Sequence, residues 1–132
     1  MRVKPNPFDM QRFFQALGDT TRLRLLNLIG DKEICVCYLV EVLRQPQPKI
    51  SRHLAYLRNA GVVAARREGK WMHYRIATLA DPGAATVLRK TLHWLEDQKS
   101  MRADHQRLAR VCCPPSGPSP SVPVKPKAPA RK

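Results

Sequence analysis

The chain has 132 residues, room for one domain or one domain with a tail. Hydrophobic residues make up 43%, enough for a core, and a formal charge of +14 on so small a chain points to a polyanionic partner, of which nucleic acid is the commonest. No apolar run reaches the length of a bilayer span, and no hydrophobic region after Met1–Pro7 reads as a secretory signal. The expected location is therefore the cytoplasm, with no membrane partner. Cys35/Cys37 and Cys112/Cys113 are two close pairs, not a spread disulfide framework, and in a cytosolic chain such pairs read as metal or redox chemistry.

Met10, Phe13, Phe14 and Leu17 follow the i, i+3, i+4, i+7 spacing of a first helix, with Asp9 to cap it and Gly18 to stop it. Asp19-Thr20-Thr21 supplies capping oxygens for a second helix, Arg22 to Ile29, which Gly30 ends. Val36, Leu39, Val40 and Leu43 form the stripe of a third helix, broken by Gln45-Pro46-Gln47. Pro48 suits the first turn of a fourth, where its missing N–H costs nothing, and Ile50, Leu54 and Leu57 make that helix's buried stripe before Gly61. Two short helices around a tight turn, the second strongly basic, form the helix-turn-helix pattern.

Val62 to Ala65 and Trp71 to Ile76 have strand character and are joined around Arg67-Glu68-Gly69-Lys70, with the glycine that a hairpin needs. A hairpin directly after the recognition helix is a wing. Asp81-Pro82 opens a fifth helix, with Val87, Leu88, Thr91, Leu92 and Leu95 along one side, running to about Arg110. A helix that long, outside a core closed by four others, is expected to pair with its copy. The predicted class is thus mainly α with a β-hairpin wing: a winged helix-turn-helix, homodimeric through its terminal helices. Residues 1–8 form an N-terminal arm and 9–113 the domain. Residues 114–132 hold seven prolines, four basic residues and no acid, the composition of a disordered tail.

Charge is concentrated. From Arg44 to Arg75 eight basic residues face one acid, Glu68, so this quarter of the chain carries half the formal charge. Steps of 100° put Lys49, Arg52 and Tyr56 opposite the buried stripe of the fourth helix. Lys49, Ser51, Arg52 and Tyr56 are therefore the candidates to enter the major groove of double-stranded operator DNA, where Arg and Lys read guanine and hydroxyls contact bases or phosphates. His53 sits nearer the buried edge, where packing, a phosphate contact and base readout all stay open. Arg66, Arg67 and Lys70 are expected at the wing tip, against phosphates or the minor groove, while Trp71 and Tyr74 read as hairpin packing.

Cys35 and Cys37 lie 200° apart on a regular helix, so one regular turn cannot aim both at a single ion; in extended backbone, i and i+2 point the same way and can share it. They fall where the third helix begins, and a helix N-terminus favours the thiolate that binds metal. Two sulfurs are few for a tight site. One of Cys112 and Cys113 can complete a set of three, in the same chain or across a dimer. Three thiolates suit trivalent arsenic or antimony, and four suit zinc or cadmium better. Oxidation of the same thiols is the rival chemistry. No phosphate loop, nucleophile elbow or paired acid/base constellation points to an enzyme.

Ala16-Leu17-Gly18-Asp19-Thr20-Thr21-Arg22, Ile34-Cys35-Val36-Cys37, Gln47-Pro48-Lys49-Ile50-Ser51-Arg52-His53-Leu54 and Gly69-Lys70-Trp71-Met72-His73-Tyr74-Arg75, in that order, closely resemble the ArsR/SmtB family of bacterial winged-helix metalloregulators, and within it the arsenical-resistance repressor branch. The resemblance runs from about Met10 into the fifth helix. It implies a homodimeric repressor that binds operator DNA and is released by arsenite or antimonite, with no organic cofactor. One departure matters: the best-known pattern of that branch has a third cysteine three residues after the second, where this chain has Val40. A ligand near the carboxyl terminus, as other members have, fits Cys112 or Cys113. The zinc-type site on the fifth helix of the family is poorly matched around His93 and His105.

Overall fold

Asp9 and Asp19 set the first two helices of the computed structural model, which describes residues 8–111. Asp9 accepts from the backbone N–H of Arg12 at 3.0 Å and opens α1 (Met10–Leu17). Asp19 accepts from the backbone N–H of Arg22 at 3.1 Å and opens α2 (Thr20–Ile29), so Thr20 and Thr21 enter the helix behind the cap and do not themselves cap it. The expected stripe of α1 is only half core. Phe13 and Ala16 are buried, whereas Met10 and Phe14 are 65% and 51% exposed.

The next element is one the sequence reading did not assign. Ile34–Cys35 is a short strand, β1, and α3 (Val36–Leu43) follows it with Cys35 at its cap position, so the extended of the two open geometries holds at Cys35. The strand forms because β3 (Trp71–Ile76) offers it an edge, pairing Ile34 with Tyr74 and Cys35 with His73, a contact between distant residues that local periodicity cannot signal. The β2 strand (Val63–Glu68) pairs with the other edge of β3, giving the antiparallel order β1-β3-β2. Gly69, at φ 62°, takes the left-handed position in the turn between them.

Between β1 and the wing, Arg44, Gln45 and Pro46 connect α3 to α4 (Gln47–Asn59), with Arg44 in the left-handed region at φ 56°. Ile50, Leu54 and Leu57 of α4 are fully buried, as their spacing predicts.

The long fifth helix is two helices. α5 (Pro82–Glu96) ends where Asp97 N–H and Gln98 N–H bond back three residues, to Trp94 and Leu95, and the chain turns into α6 (Lys99–Val111). The turn is driven by burial: α6 packs on α2 and α3 and buries Met101, Asp104 and Leu108. Arg24 holds the Asp104 carboxylate with two bonds, 2.8 and 2.9 Å. Buried Asn27 donates to the Met101 carbonyl at 3.1 Å and its Oδ1 meets His105 Nε2 at 3.1 Å. A helix carrying Asp104 and His105 reads as solvated until the partners 80 and 78 positions away are known. The arm before residue 8, Cys112, Cys113 and the 114–132 tail lie outside the described residues.

Candidate nucleic-acid interface and thiol centre

The recognition helix presents the residues its periodicity predicts. Lys49 and Arg52 are exposed and Ser51 partly so, on the side away from Ile50, Leu54 and Leu57. His53 and Tyr56 are already engaged inside the chain. Arg22, on α2, donates through Nε to the Ala16 carbonyl at 2.9 Å and through Nη2 to the Gln15 carbonyl at 3.0 Å. Its Nη1 lies 3.3 Å from His53 Nδ1, and its guanidinium carbon stands 4.1 Å over the centre of the Tyr56 ring. One side chain thus joins the end of α1 to the middle of α4. The candidate list drawn from charge and helical phase misses Arg22, because its role depends on residues 31 positions away. Its sequence signals are its place three residues after a capping Asp and at the end of the Ala16–Arg22 motif, and neither names its partners. Burial, together with the nearby Arg22, Lys49 and Arg52 charges, holds His53 below the ordinary histidine value despite Asp19.

On the wing only Lys70 stands in the turn. Arg66 and Arg67, expected at the tip, lie within β2, paired in register with His73 and Met72, because the strand runs three residues further than its apolar alternation suggests. Arg67 is exposed. Arg66 is tied down: it donates to both oxygens of Glu33, at 2.6 and 3.0 Å, and to Glu68 at 3.1 Å. The bond to Arg66 holds the Glu33 carboxyl below its usual range.

Glu33 leads directly into the thiols. Cys35, extended at φ −69° and ψ 142°, occupies the cap position of α3, and Cys37 stands in the first turn. This combination resolves the geometric problem of a regular helix, for the two sulfurs lie 2.7 Å apart. Both cysteines are free. The Cys37 thiol donates to Cys35 and, with the backbone N–H groups of Cys37 and Tyr38, brings the Cys35 pKa down to about 7 against the opposing effect of burial. Cys37 is pushed up by the same bond and by burial. The pair therefore releases one proton near neutrality and keeps the second. A soft, thiophilic ion fits such a donor set. Among the described residues no group of three His, Cys, Asp or Glu side chains could hold a metal ion, in keeping with Val40 where a third thiol could stand. His73, the cross-strand partner of Cys35, is buried, and neither ring nitrogen has a hydrogen-bond partner among the described residues. Its Nε2 lies 3.6 Å from Glu68.

A recognition helix behind a tight turn, with a basic hairpin beside it, defines a winged helix-turn-helix DNA-binding regulator, here with a thiol pair at the root of α3. Comparison with known proteins agrees. The model of the family "Bacterial regulatory protein, arsR family" matches residues 19–65. The chain is 41% identical over 103 residues to the arsenical resistance operon repressor of Escherichia coli, covering 77% of this chain and 86% of that one. It is 43% identical over 109 residues to the arsenic resistance transcriptional regulator ArsR2 of Pseudomonas putida, covering 76% and 94%. Among solved structures, HlyU from Vibrio cholerae superposes with a TM-score of 0.59 at 27% identity, over 73% of this chain and all of that one. The protein belongs to the ArsR family of bacterial regulatory proteins. It is a transcriptional regulator and not an enzyme.

Proposed function

We propose that the protein is a cytoplasmic, homodimeric repressor of an arsenic-resistance operon, bound to operator DNA through α4 and the wing and released when arsenite or antimonite is held by its cysteine thiolates. The observation that carries the reading is the approach of the Cys35 and Cys37 sulfurs to 2.7 Å at the start of α3, which packs against the recognition helix. The printed names of the Escherichia coli and Pseudomonas putida relatives point to the same class of inducer. Lys49, Ser51, Arg52 and Tyr56 are the proposed base and phosphate contacts, with Arg67 and Lys70 on the wing. Arg66 joins them when Glu33 and Glu68 let it go, and His53 contributes through Nε2.

Two thiols make two-thirds of a trigonal site, and Cys112 or Cys113 is the proposed third. In support, α6 lies along α3, with Arg107 donating to the Val42 carbonyl at 3.1 Å, and Val111, the residue before Cys112, packs against the core. Dimerisation is favoured by exposed apolar side chains: Met10 and Phe14 on α1 and Trp94 on α5, the last 66% exposed.

Holding both thiolates to one ion constrains the backbone from Cys35 to Cys37, and through α3 the placement of α4. A coupling of about 1–3 kcal/mol, five- to 150-fold in DNA affinity, is the usual scale for such opposition. The test is fluorescence anisotropy of an operator duplex bound to the full chain, titrated with arsenite, zinc, cadmium or peroxide. Release by arsenite at the lowest concentration is expected. Release by peroxide alone sinks the reading in favour of a redox switch, and release by zinc or cadmium alone reassigns the ion.

A further inference from the structure

Arg22 lies outside the groove-facing residues of α4 and outside the thiol pair, yet its guanidinium meets α1 and α4 at once. Its guanidinium has five N–H bonds and no acceptor, so in its 3.3 Å contact with His53 the ring nitrogen Nδ1 accepts; the Asp19 carboxylate, which would favour a proton on the same nitrogen, stands further off at 3.8 Å, beyond hydrogen-bond reach. A neutral imidazole that accepts at Nδ1 carries its proton on Nε2. Arg22 therefore selects one tautomer of a residue on the recognition helix and leaves its Nε2 a donor. The same cation faces the Tyr56 ring at 4.1 Å, which restricts the ring of a second residue on that helix, one that stays 39% exposed. Its other two bonds end on the Gln15 and Ala16 carbonyls, among the last of α1, the first of which also accepts from the capping Gly18 N–H at 3.1 Å.

We propose that Arg22 is a positioning residue for operator reading: it holds His53 as the Nε2–H tautomer and pins Tyr56, so that α4 meets DNA with two preset donors fixed in orientation to α1. The role rests on the reading of the chain as an operator-binding regulator. It implies that Arg22 shapes sequence discrimination without itself neutralising a phosphate, since three of its N–H bonds are spent inside the chain. Lysine cannot substitute, because a single ammonium cannot bond two carbonyls and a ring nitrogen while also facing an aromatic ring.

The experiment uses the full chain as wild type, Arg22→Gln and Arg22→Lys, and two readouts. The first is nitrogen-15 NMR of the histidine rings without DNA. The wild type is expected to show His53 protonated at Nε2 alone, and both variants a mixture of tautomers. Protonation of wild-type His53 at Nδ1 overturns the proposal whether or not either variant folds. The second is anisotropy across a salt series, on the duplex that the wild type enriches from a randomised pool and on a scrambled duplex of equal length. Both variants are expected to lose about tenfold on the enriched duplex and less than about twofold on the scrambled one, with the same salt slope. A slope shallower by about 0.9 means that Arg22 binds a phosphate itself, and an unchanged ratio between duplexes means that it positions nothing; either overturns the proposal. A pool that enriches no duplex removes the operator reading and this role with it, whereas an enriched duplex with an unchanged ratio removes the role alone.

Discussion

Glu33 accepts two hydrogen bonds from Arg66, at 2.6 and 3.0 Å, and stands two residues before Cys35. The acid at the root of the thiol strand thus holds a wing cation that could otherwise face DNA. Glu33→Gln removes the larger of the two carboxylate holds on Arg66 and leaves the single bond to Glu68. The ion-free protein is expected to bind a duplex about two- to threefold more tightly, with a salt slope steeper by up to about 0.9, the signature of one more neutralised phosphate. Anisotropy over a salt series reads both, and weaker binding with an unchanged slope would show that Arg66 stays with the sheet.

The Cys35 thiol should titrate near neutrality. Peptide-resolved alkylation in the ion-free protein is expected to fall by half as pH drops through about 7 at Cys35. A free thiol does so near about 8.5. The shift comes first from the Cys37 thiol, so Cys37→Ala should move the Cys35 midpoint upward. A midpoint unmoved by that change would assign the shift to the backbone N–H groups of the helix start alone.

Asp104 is 2% exposed and takes both its short bonds from Arg24. Asp104→Ala leaves Arg24 facing a buried gap and is expected to cost about 2–3 kcal/mol in denaturant unfolding, less than a fully buried pair would because Arg24 keeps some access to water. A loss under about 0.5 kcal/mol would place the pair with ordinary surface bridges.

Stability should fall in mild acid. His53 and His105 both lie below the ordinary histidine value, in each case first through burial. From about pH 6.5 down to their folded values the unfolded chain binds more protons than the folded one, so stability rises with pH across that window and is lost as pH falls through it. Urea unfolding at several pH values checks the sign, and His105→Gln should flatten the slope. Stability that rises on acidification would contradict it.

Local patterns carried most of the fold. The α3–turn–α4 unit, the wing and the buried stripe of Ile50, Leu54 and Leu57 follow from period, proline and glycine alone. What was illegible depends on distant partners. The β1 strand exists because β3 lends an edge to Ile34 and Cys35, and α6 folds back because Arg24 and Asn27 wait for it on α2. The site divides the same way. Lys49 and Arg52 could be read from helical phase, and the thiols from their spacing. The hold of Arg22 on His53 and Tyr56, and of Glu33 on Arg66, needed the fold. The meeting of the Cys35 and Cys37 sulfurs could be posed from sequence only as an alternative, because it depends on the helix starting between them.

On this reading the ion acts through Cys35 and Cys37. Arsenite titrations of operator-bound protein, wild type beside Cys35→Ser, Cys37→Ser and the Cys112→Ser/Cys113→Ser double variant, test it most directly. Release should be abolished in either of the first two and weakened at least about tenfold in the third, with ion-free DNA affinity within about threefold of wild type throughout. Full arsenite-driven release from Cys35→Ser would contradict the account.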